Sequence, residues 1–128
     1  MVTALYASLL ALLMLALSVL VIRQRRQARV AHADGGVEAL KVARSAHSNA
    51  VDYIPITVIL MALAELNGSP TVFIHLFANV FLLGRVLHAF AIYRHSITGR
   101  VWGMALTFVA MLCLVGLNLW YLPGRIVV

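Results

Sequence analysis

At 128 residues the chain has the length of one domain, yet 63% of it is hydrophobic and only 11% is charged. So little charge cannot cover the surface of a water-soluble domain of this size. The net charge of +6 does not point to nucleic acid either. Six of the ten lysines and arginines fall between Arg23 and Arg44, beside a long apolar run instead of across a soluble surface, the pattern of a topology signal that meets anionic headgroups.

In chain order, the first predicted span covers residues 4–22 and contains no charged side chain. No basic stretch precedes it, and Arg23, Arg25 and Arg26 follow it where a cleavable leader would carry small residues, so a retained helix is expected. A connection over residues 23–43 holds the turn sequence Asp34-Gly35-Gly36. The second span, residues 44–65, opens with Arg44, His47, Asn49 and Asp52, and its apolar part alone is too short to cross a bilayer. Some of those polar groups therefore lie within the membrane thickness, just before Pro55, which is expected to kink the helix. Asn67-Gly68-Ser69-Pro70 forms a tight turn into the third span, residues 70–93, which contains Arg85 and His88. Residues 94–99 link to the fourth span, residues 100–122, closed by Pro123-Gly124. The architecture expected is an all-α membrane protein, one domain over residues 1–128 forming a bundle of four transmembrane helices in the lipid bilayer. Cys113 is the single cysteine, which excludes an internal disulfide.

Lysines and arginines concentrate in the 1–2 and 3–4 connections; the 2–3 turn has none, and Arg125 alone lies beyond the fourth span. This asymmetry predicts both connections in the cytoplasm and both chain ends outside. With about 1.5 Å of rise per residue, Asp52 lies roughly 12 Å in from Arg44, and Arg85 roughly 13 Å in from Arg94. Asn49 and His88 match likewise, at about 8 and 9 Å. Within each pair of neighbours the spacing is three residues, which puts them on one helical face. The expectation is a polar pocket lined by Asn49, Asp52, Arg85 and His88. The simpler alternative is an Asp52–Arg85 ion pair that locks two helices together. Arg44, His47, His88, Arg94 and Arg100 crowd the same end with one carboxylate among the helix residues, a surplus that suits an anionic ligand. Glu65 and His75 are expected at the opposite interface, Trp102, Trp120 and Tyr121 in the aromatic belts, and Asn118 in a hydrogen bond between helices. No metal-ligand spacing, phosphate loop or nucleophile motif is present.

The segment Arg44-Ser-Ala-His47-Ser-Asn49-Ala-Val-Asp52-Tyr53-Ile-Pro55 resembles the second-helix signature R-x-x-x-x-N-x-x-E-x-x-P of the MAPEG family, membrane-associated proteins in eicosanoid and glutathione metabolism. Gly84-Arg85-Val-Leu-His88 resembles the G-R-x-x-H segment of the family's third helix. Length, four spans and a basic first connection agree as well, so the resemblance covers the whole chain. It implies a homotrimer with glutathione, as co-substrate, bound between subunits near the cytoplasmic side. Asn49, Asp52, Arg85 and His88 would hold the tripeptide, with Arg44 and His47 in support. Arg100 would be the arginine at the start of the fourth helix that stabilises the thiolate by lowering its pKa. The partner would be a lipophilic electrophile or a lipid peroxide. The chain departs from the pattern in having Asp52 for glutamate, Ser48 where some members have arginine, and Ile92 at a family tyrosine, with Tyr93 one step round the helix as the candidate in its place. The 3–4 connection is a residue shorter than in the eicosanoid enzymes. The activity expected is a glutathione transferase or peroxidase in a bacterial inner membrane. The alternatives are a non-catalytic scaffold or lipid-binding trimer, and a small exporter, against which stands the absence of an acidic residue from the first span.

Overall fold

The computed structural model describes residues 1–122, and the predicted Pro123-Gly124 stop and Arg125 lie outside the described residues. Four helices make up the described chain: α1 (Val2–Ala28), α2 (Glu38–Leu66), α3 (Thr71–Tyr93) and α4 (Ile97–Trp120). Their 23 to 29 residues correspond to lengths of about 35 to 44 Å, against a bilayer core of about 30 Å. All four are long and apolar enough to cross a membrane.

Three helices begin or end beyond the predicted spans. α1 continues through Arg23, Arg25 and Arg26 to a left-handed cap at Arg29 (φ 54°), and α2 starts six residues before Arg44, at Glu38. Hydropathy marks where the apolar environment ends, whereas arginine, lysine and glutamate are good helix formers that carry the backbone on into water. α4 starts at Ile97 because the Ser96 side chain accepts a hydrogen bond from Gly99 N at 3.1 Å, an N-cap that satisfies one orphan amide. The 3–4 link is thus only Arg94, His95 and Ser96, with His95 at φ 53°. This brings Arg100 into the first turn of α4.

α3 and α4 form the most extensive helix pair, α1 packs on α2 and α3, and α2 also meets α3 and α4. α1 and α4 therefore flank a central α2–α3 pair from opposite sides. Leu10, Met61, Phe81 and Leu114 are fully enclosed in the core, and Leu40 and Ile74 are enclosed near the starts of α2 and α3. Leu12, Leu15, Ile59, Leu83, Val109 and Leu112 point outward and are exposed, which an aqueous surface would not tolerate on this scale but lipid does.

The α3–α4 contact has a specific cause. A methyl group added at Gly103 would stand 2.7 Å from His88 Cβ and 2.8 Å from its Cα and N, and one at Gly84 would stand 3.0 Å from the Gly103 carbonyl oxygen. Gly99 faces Ala91 in the same way, at 2.8 Å. Gly99 and Gly103 are four residues apart, the small-xxx-small spacing that lets two membrane helices approach backbone to backbone.

Candidate functional site

The close α3–α4 crossing determines where the polar side chains at this end of the bundle can go. Arg85 is 2% exposed, and its side chain runs inward between α2 and α4. Its Nε donates to Thr107 Oγ1 at 3.0 Å, Nη1 donates to the side-chain and backbone oxygens of Asn49, and Nη2 donates to Met104 Sδ at 3.3 Å. The Tyr53 ring covers the guanidinium, 5.3 Å from its centroid, within cation–π range. Thr107 also donates to the Gly103 carbonyl at 2.8 Å, so its hydroxyl is held for the arginine.

The ion pair offered by the matching depths does not form: Asp52 is exposed, and among the described residues no carboxylate pairs with Arg85. Residues 49 and 52 share a broad helical face, but three residues still rotate a side chain by about 60° and raise it by about 4.5 Å. That rotation turns Asn49 toward α3 and Asp52 away from it. Depth alone could not separate the two.

The predicted polar pocket is instead two adjoining cavities. The larger, of about 660 Å³, is bounded by Ser45, Asn49, His88 and Arg100 together with Ile92, Ile97, Val101, Met104, Ala105 and Phe108. Its lining is mostly apolar, with the cation and the imidazole at one side. The second, of about 540 Å³, is mainly polar and is bounded by Asp34, Lys41, Arg44, Ser45, Ser48, Asn49 and Asp52. Ser45 and Asn49 belong to both. Asp34 reaches the polar cavity from the α1–α2 loop, where its carboxylate accepts from Gly36 N at 2.9 Å and lies 3.6 Å from Arg44.

Of the residues expected at the site, Arg44, Asn49, Asp52, His88 and Arg100 thus surround this double cavity, and Arg85 lies buried beside it. His47 turns to the other side of α2, where Nε2 lies 2.9 Å from Ser18 Oγ of α1, and it shares a small cleft with Arg25 and Arg44. Tyr93 does not join the site: it lines a separate cleft with Gln24, Glu38, Val42 and His95, and its buried hydroxyl has no hydrogen-bond partner. One residue is 100° of helix, so Ile92 keeps the cavity position and Tyr93 is carried toward α1. Ser45, Met104 and Phe108 were not anticipated. The Gly99–Gly103 spacing was legible and would have located the crossing that brings α4 residues to α3.

The comparisons agree with this architecture. The chain matches the MAPEG family over residues 3–120. It is 44% identical over 127 residues to "Inner membrane protein YecN" of Escherichia coli strain K12, an alignment covering 99% of this chain and 97% of that protein, and the protein of the same name from Escherichia coli O6:H1 matches equally. On a family match across nearly all of its length and four helices able to span a membrane, the chain belongs to the MAPEG family of integral membrane proteins.

Proposed function

We propose that the protein is a glutathione-dependent transferase or peroxidase that acts on lipophilic electrophiles through a glutathione thiolate. One observation carries this reading: a polar cavity with charges of both signs adjoins a mainly apolar cavity flanked by Arg100, and the two share Ser45 and Asn49. A zwitterionic tripeptide carrying two carboxylates and an ammonium group suits the first. Lys41 and Arg44 offer cations for its carboxylates, and Asp52 an anion for its ammonium. A thiol directed toward Arg100 would meet a cation at the edge of an apolar space, which favours the thiolate. Apolar walls on α4 would receive the second substrate from the bilayer.

In conjugation the thiolate sulfur forms a bond to an electrophilic carbon, and the leaving group departs with the electron pair. In peroxide reduction the sulfur attacks the peroxide oxygen, the O–O bond breaks, and the alkoxide takes a proton to become an alcohol. The resulting sulfenic acid then condenses with a second glutathione to give the disulfide and water. In this reading the protein is a homotrimer in a bacterial inner membrane, with the 1–2 and 3–4 loops in the cytoplasm. The charge asymmetry supports that orientation, and the name of the Escherichia coli relatives supports the membrane.

Titration of the purified, intact oligomer with glutathione tests the proposal. Binding below millimolar concentration is expected, with a thiolate absorbance near neutral pH that Arg100→Ala abolishes. No binding at millimolar glutathione would overturn it. A non-catalytic scaffold or lipid-binding trimer draws on one feature, the wholly internal set of Arg85 partners; under that reading Arg85→Ala impairs assembly and no thiol ligand binds.

A further inference from the structure

Arg85 was expected to touch a ligand, but the bonds it makes are to the chain itself. This has a consequence for Asn49. A guanidinium carries only donors, whereas a side-chain amide carries an acceptor oxygen and a donor nitrogen. The Asn49 atom that meets Arg85 is therefore Oδ1, and the chemistry of the pair turns Nδ2 away from the arginine. Asn49 is half-buried and stands where the two cavities meet.

We infer that Arg85 is a positioning residue that acts through Asn49, holding the amide so that the Nδ2 hydrogens are offered at the junction of the cavities to an acceptor oxygen of the ligand. With Oδ1 turned to the cation, the remaining lone pair stays on the arginine side and the end of the amide offered to the cavities is the donor end, which suits a carbonyl or carboxylate oxygen of the ligand. An Arg85–Asp52 ion pair would have left Asn49 free to present either end. The arrangement observed instead uses a neutral partner for the arginine and keeps Asp52 at the wall of the polar cavity. Polarisation of the amide by the adjacent charge strengthens its remaining donors. The inference rests on the glutathione reading for the identity of the ligand and specifies which kind of atom that ligand brings to Asn49.

The test compares three substitutions in the full-length protein, with glutathione as the probe. Asn49→Asp keeps an acceptor for Arg85 and removes both donors. It should melt no lower than Asn49→Ala yet bind glutathione about tenfold more weakly than wild type, the loss expected when a buried hydrogen bond goes unmade. Arg85→Lys keeps the charge without the planar fork, and should weaken binding in the wild-type background but add nothing in the Asn49→Asp background. Wild-type affinity in Asn49→Asp, or an equal effect of Arg85→Lys in both backgrounds, would overturn the inference. A measurement without ligand separates it from the glutathione reading. With ¹⁵N-labelled asparagine, the Asn49 NH2 signals, identified by their loss in Asn49→Asp, should shift and broaden in Arg85→Lys as the amide is freed. If wild type binds no glutathione, the glutathione reading fails while this spectrum still decides the role of Arg85; unchanged NH2 signals would overturn it.

Discussion

At the end of the bundle that carries the α2–α3 turn, the Glu65 carboxylate accepts from Val2 N and, at 2.8 Å, from Thr3 N, closing the start of α1. Beside it the Tyr6 hydroxyl accepts from Asn79 Nδ2 at 2.7 Å and pairs with His75 Nδ1 at 2.9 Å, and Asn118 Nδ2 donates to the Leu60 carbonyl at 2.9 Å. These contacts join α1 to α2, α1 to α3, and α4 to α2. At the basic end Arg85 also ties three helices, but His88, Arg100, Asp52 and Lys41 stand along cavity walls. Polar groups inside a membrane protein are costly wherever they lie. Where they satisfy one another they act as structural ties, and where they converge on a cavity they remain available to a ligand.

Substitutions can break this contrast or sharpen it. The largest effect is expected from Gly103→Ala, because the new methyl would meet His88 backbone atoms at 2.8 Å, and backbone cannot move aside as a flexible side chain can. A loss of about 3 kcal/mol is expected, at the upper end for overpacking, together with loss of glutathione binding, read by unfolding in mixed micelles and by titration. Preserved binding in that variant would show that the α3–α4 crossing does not hold the cavity.

Glu65→Ala removes the acceptor for two amides at the start of α1 and should cost about 1 to 2 kcal/mol in the same unfolding assay. Glutathione affinity should not change, since Glu65 belongs to the opposite end; a parallel loss of affinity would contradict the division into two halves. Asn118→Leu should have the smallest effect, below about 1 kcal/mol, because the substitution deletes one interhelical bond but also removes a buried oxygen that has no partner. Affinity for glutathione should again be unaltered.

Much of the fold was present in one dimension. Hydropathy located the four spans, Asp34-Gly35-Gly36 and Asn67-Gly68-Ser69-Pro70 located two turns, and the two family segments identified the polar face. Ser96 and Glu38 show why the helix ends differed: a capping hydroxyl and good helix formers act locally, independently of the apolar run. Asn118 was expected to bond across helices and does so, whereas Glu65 was placed only near an interface and proved to close α1, a partnership between residues more than sixty positions apart.

The sequence by itself determined the membrane class, the family, and the end of the bundle where polar groups gather, because periodicity, apolar length and charge bias are properties of single segments. It also ranked Asn49, Asp52, Arg85 and His88 together by depth, since rise per residue is constant along a helix. Only the tertiary structure decided that Arg85 meets Asn49 and not Asp52, that Tyr93 leaves the site while Ile92 stays, and that the pocket is two cavities joined at Ser45 and Asn49. Those outcomes depend on rotation about each helix axis and on how closely the helices cross. The close α3–α4 crossing rests on Gly84, Gly99 and Gly103, which leave room for the two helices to approach.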